Sequence, residues 1–135
     1  MDYGHAIVSV ALWAILVQVL NFFSADRKAK AGLVPGATPK ADYADPLYRL
    51  DRAYHNAAET LAVFVAVVAA AILAGASPFW VNLFAALAFL SRLAMVYVHL
   101  KGIGKLVSGP RTIFFVVGWA LMIALALMAI AAVFW

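Results

Sequence analysis

The segment Arg49-Leu-Asp-Arg52-Ala-Tyr-His55-Asn56-Ala-Ala-Glu59 places several ligand-gripping side chains at helical spacing. At about 100° per residue, Arg49, Arg52, Asn56 and Glu59 fall within a sector of about 80° and make one polar stripe, with His55 at its edge. Guanidinium forks suit carboxylates, an amide donates and accepts, and a carboxylate takes an ammonium. Arg92, His99, Arg111 and Thr112 supply further polar groups in otherwise apolar stretches. Together they suit a small polyanion that also carries a cationic amine. Apolar surroundings would admit a second, apolar substrate.

The elements that must hold these residues are membrane helices. The chain has 135 residues, is 67% hydrophobic, only 12% charged, and has a mean hydropathy of +0.99. A soluble domain carries about 25% charged residues, so this is an integral membrane protein built as one domain. It has no cysteine, which excludes disulfides, thiolate metal sites and protein thiol chemistry. The apolar run after Met1-Asp2-Tyr3 lacks a basic flank and is long enough to span, so it reads as a first helix and not a cleavable signal. The net charge of +4 sits beside the spans and marks topology; it gives no reason to expect a nucleic-acid partner.

Four spans are expected, at about 4–23, 46–75, 78–100 and 110–135, which makes the fold class an all-α four-helix membrane bundle. The first ends at Phe23, before a Lys-, Pro-, Gly- and Ala-rich loop over Ser24–Ala44. Asp45-Pro46 caps and opens the second. Ser77-Pro78 repeats that signal for the third, and Gly109-Pro110 opens the fourth, whose residues Thr112 to Trp135 carry no charge. The second helix, about 45 Å long, exceeds a hydrocarbon core of about 30 Å, so its first turns project beyond it. Cations flank the first and third connections and are absent from the second. The positive-inside rule therefore puts those two connections in the cytoplasm and both termini outside.

Ionisable groups within spans face a bundle interior or a wet cavity. Glu59 lies about 10 Å below Arg52 and Arg92 about 13 Å below Lys101, so the pair is expected at similar depth and close enough to interact, within one subunit or across subunits. The plainer reading is a buried pair that only locks the bundle. His55 and His99 raise a bis-histidine haem alternative, but they carry no metal-type spacing. Arg111 reads either as an anchor snorkelling to the interface or as the cation that receives an anion or thiolate. Gln18 and Asn21 either bond a neighbouring helix or line the same cavity.

The chain resembles the MAPEG family, the membrane-associated proteins in eicosanoid and glutathione metabolism, in its bacterial form. Arg52-Ala-Tyr-His-Asn56-Ala-Ala-Glu59-Thr60 is similar to the family's Arg-Ala-x-x-Asn-x-x-Glu signature. Ser91-Arg92 and Arg111-Thr112 match its third- and fourth-span elements. The resemblance implies a homotrimer in a membrane, here a bacterial inner membrane, with glutathione as co-substrate between subunits near the cytoplasmic side and no metal. It implies that Arg52, Asn56 and Glu59 hold glutathione, with Arg49, His55, Arg92, His99 and Thr112 completing the candidate set, and that Arg111 is catalytic, stabilising the thiolate. A cation favours S⁻ over SH, and the thiolate is the nucleophile. The implied activity is a broad-specificity, detoxifying glutathione transferase acting on apolar electrophiles or peroxides. Eicosanoid-making members carry tyrosines where His99 and Phe115 stand here. Phe115 cannot donate a hydrogen bond to a thiolate, which leaves His99 as the alternative donor. It also keeps open a non-enzymatic lipid-binding or scaffold role on the same fold.

Overall fold

The computed structural model describes residues 2–105 and 107–135. Four helices, α1 (Gly4–Lys30), α2 (Pro46–Leu73), α3 (Pro78–Lys101) and α4 (Pro110–Phe134), make up the expected all-α bundle, and each is long and apolar enough to cross a membrane. Three open on a proline, where the missing N–H has no intrahelical partner to lose. Asp45 caps α2, its carboxylate accepting from the Leu47 N–H at 2.8 Å. Ser77 stands at the equivalent place on α3, but its hydroxyl makes no capping bond.

Helix α1 is longer than its sequence suggests. The reading above places a loop from Ser24, whereas the helix continues through Lys30. Two ion pairs favour the extra turns. Lys30 reaches Asp26 one turn back at 2.7 Å, and Lys28 turns inward to a buried salt bridge of 2.5 Å with Asp51 of α2. Composition alone marks such residues as loop; the partner on α2 is what makes helix the better solution.

Helices α2 and α3 form the central pair. α1 packs against both on one side and α4 against both on the other, and α1 and α4 do not meet among the described residues. Close approach is possible because Ala53, Ala57, Ala71, Ala85 and Ala88 are fully buried at the crossings. Trp13 of α1 fills the centre. It stacks on Phe64 with ring centroids 4.4 Å apart, and its indole N–H donates to the Ala57 carbonyl at 2.9 Å. At the end away from the cations, Asn82 of α3 accepts from the Ala6 N–H at 2.9 Å, satisfying an orphan donor of the α1 first turn. It also donates to the Asp2 carbonyl at 2.7 Å, and the Tyr3 hydroxyl donates to the Ala76 carbonyl at 2.6 Å.

Candidate functional site

The opposite, basic end holds a cleft of about 200 Å³ between α2, α3 and α4, lined by Tyr43, Asn56, Met95, His99, Arg111, Thr112 and Phe115. Arg111 is its focus. It is 9% exposed, so its side chain is held within the fold. One guanidinium nitrogen, Nη2, donates to the Lys105 carbonyl at 2.8 Å, and the Tyr43 ring lies 4.2 Å from the guanidinium carbon. A cation held over an aromatic face and against a carbonyl is fixed in place, with its remaining N–H groups free to act.

The turn between α3 and α4 makes that placement possible. Gly102 ends α3 in the left-handed region at φ 63°, and a Cβ on Gly109 would lie 2.6 Å from the Lys105 carbonyl oxygen. Only glycine lets the chain fold back closely enough to aim that carbonyl at Arg111. Ser91 then sets the register of α4 against α3, its hydroxyl donating to the Phe114 carbonyl at 2.6 Å.

Arg92 lies behind two lining residues, Asn56 and Met95, and contacts both. Its side chain is buried, its guanidinium carbon is 5.0 Å from the Trp13 ring centroid, and Nη1 donates both to Asn56 Oδ1 and to Met95 Sδ at 3.1 Å. With Oδ1 engaged, Asn56 keeps its amide N–H groups for the cleft. Glu59, which the sequence pairs with Arg92, lies near enough to act on it electrostatically within the single chain, without a direct salt bridge among the described residues. The direct partner is Asn56, about one turn nearer the start of α2.

His99 is 5% exposed, stacks on Tyr43 at 6.1 Å between centroids, and leaves Nδ1 without a partner among the described residues. Arg52, Arg92 and Arg111 all act on it electrostatically, so three cations surround the cleft. Other candidates lie elsewhere. Arg49 donates from Nη1 to the Tyr43 and Ala44 carbonyls at 2.7 and 3.0 Å, which fastens the α1–α2 loop over the cleft. His55 turns to the Asp51 carbonyl at 2.9 Å, on the Lys28 side. Glu59, Gln18 and Asn21 are exposed on the outside of the single chain. Tyr43 is the residue that sequence reasoning misses. Its one local signal is its place two residues before the α2 cap; its role arises from a loop folding back over another helix.

Four helices apolar and long enough to span a membrane, with a cleft at the basic end lined by Arg111, His99 and Asn56, define an all-helical membrane protein. The family model of the MAPEG family matches residues 4–131, nearly the whole length, and the chain belongs to that family. It is therefore an integral membrane protein of the group concerned with glutathione and eicosanoid metabolism. No curated protein matches it.

Proposed function

We propose that the chain is a broad-specificity membrane glutathione transferase, working as a homotrimer in a bacterial inner membrane with the basic end in the cytoplasm. The observation that carries this reading is Arg111, buried and clamped between the Tyr43 ring and the Lys105 carbonyl at the mouth of a cleft that also holds Asn56, His99 and Thr112. A fixed guanidinium in water-poor surroundings favours the thiolate of glutathione over the thiol. The thiolate sulfur then attacks an apolar electrophile arriving through the bilayer, forming the carbon–sulfur bond as the leaving group departs. With a hydroperoxide, two glutathiones are oxidised to the disulfide while the peroxide becomes an alcohol and water. Arg52, Arg92 and the Asn56 amide suit the two glutathione carboxylates, and Glu59 suits its ammonium.

Two features support an assembly in which a neighbour completes the site. The single-chain cleft of about 200 Å³ is smaller than the roughly 300–1,000 Å³ typical of a small-molecule site. Glu59 on α2 and Gln18 and Asn21 on α1 are polar side chains exposed at membrane depth, a costly arrangement unless another subunit covers them. A second reading, lipid binding without catalysis, is favoured by Phe115, which brings no hydroxyl to the cleft.

Ultraviolet titration of the detergent-purified protein with glutathione near neutral pH separates the two. Thiolate absorbance that disappears in Arg111→Ala is the expected result. Silent binding, or none, would hand the site to the lipid-binding reading.

A further inference from the structure

Glutathione activation leaves the α1–α3 side of the bundle unused, and two cavities adjoin there. One, of about 400 Å³, runs at membrane depth between Leu16, Val19 and Phe23 of α1 and Val96 and Leu100 of α3. The other, of about 560 Å³, lies at the basic end beside Arg27, Lys30 and the start of α2. Arg27 and Leu50 line both, so the two form one groove with an apolar floor and a polar mouth.

The dimensions fit one leaflet. From Leu16 to Arg27 is eleven residues of helix, about 16 Å, or half of a hydrocarbon core of about 30 Å. The mouth also has a spare cation. Lys30 bonds Asp26, and the Asp45 carboxylate is engaged in capping α2, but the exposed Arg27 side chain makes no hydrogen bond or ion pair among the described residues. The surrounding field is positive: every lysine and arginine except Arg92 lies in or beside the two connections at this end, against Asp26, Asp42, Asp45 and Asp51.

We propose that this groove is a binding site for an anionic phospholipid of the leaflet at the basic end. The phosphodiester sits on Arg27, with Lys30 beside it, and one acyl chain lies along the α1–α3 floor. A guanidinium fork matches two phosphate oxygens, and basic pockets between spanning helices are where anionic headgroups bind. Selection falls on the headgroup, because lipid tails are as apolar as leucine and the floor contributes shape instead of a hydrophobic drive. The site is separate from the cleft, which lies beside α4, the helix that α1 does not touch.

Native mass spectrometry of the full chain released from mixed micelles of phosphatidylglycerol and phosphatidylcholine tests this. Wild type should retain phosphatidylglycerol over phosphatidylcholine by roughly tenfold, the scale of one charge-assisted contact. Arg27→Ala should abolish that preference. Val19→Trp, which fills the floor and leaves the cations alone, should lower retention of phosphatidylglycerol. Lys40→Ala, the same charge change on the loop outside the groove, should behave as wild type. Both groove positions are exposed, so the variants keep the fold, checked by helicity and elution. Equal retention of the two lipids by wild type would overturn the proposal. So would a preference surviving in Arg27→Ala, retention unaffected by Val19→Trp, or a loss as large in Lys40→Ala.

Discussion

At the end carrying the N terminus, Tyr3 and Asn82 spend their polar groups on backbone atoms across the helix junction: Tyr3 on the Ala76 carbonyl, Asn82 on the Ala6 N–H and the Asp2 carbonyl. At the basic end, Arg92 Nε and His99 Nδ1 are buried without partners among the described residues, and Arg111 keeps N–H groups facing a cleft. Both ends join the same helices. The first closes its hydrogen bonds internally and so only holds the bundle together. The second keeps donors in reserve, and buried polar groups held without partners are costly unless a ligand takes them.

Four substitutions would break or sharpen this contrast. The largest effect should fall on the buried Lys28–Asp51 ion pair of the basic end. Lys28→Met strands Asp51, which is 1% exposed, and should lower stability by about 3–5 kcal/mol. Thermal unfolding in detergent reads it, and adding Asp51→Leu should restore much of the loss. Next comes Arg111→Ala, where conjugation of glutathione to chlorodinitrobenzene should drop roughly 10²–10³-fold with the oligomer still eluting as before, as for other preorganised donors. Unchanged turnover would remove the thiolate role.

Tyr43→Ala should cost about tenfold in kcat/KM, since a desolvated cation–π contact is worth about 1–2 kcal/mol. Tyr43→Phe should stay near wild type, because the ring and not the hydroxyl supports Arg111; a matching loss in Tyr43→Phe would show that the phenol itself acts. The smallest change belongs to the other end. Asn82→Ala leaves the first turn of α1 uncapped and should lower the unfolding midpoint by a few degrees, about 1 kcal/mol, with kinetics untouched. A fall in activity there would erase the distinction between the two ends.

Features written in local chemistry were legible from sequence. Long apolar runs gave four helices, the Asp45-Pro46 pair gave the start of α2, and of the α2 stripe Asn56 lines the cleft while Glu59 faces outward. Features that depend on a partner helix were not. Lys28 reads as loop until Asp51 is opposite it, and the Asn56 oxygen as the direct partner of Arg92 emerges only when α2 packs on α3. Periodicity says which side chains share a face; it does not say how far one helix slides along another. Arg49 belongs to the right stripe yet is spent on the Tyr43 and Ala44 carbonyls, a use that only the folded loop explains.

Trp13 gives the molecule an internal optical reporter. The other three tryptophans, Trp80, Trp119 and Trp135, are exposed on the outer surface, whereas Trp13 is wholly enclosed beneath the Arg92 guanidinium. Brominated lipid should therefore quench three indoles and spare the fourth, isolating its emission. A ligand that draws Arg92 toward the cleft changes the electric field across that indole and shifts its spectrum. Occupancy of the site can then be followed in the unmodified protein, without a label and without turnover.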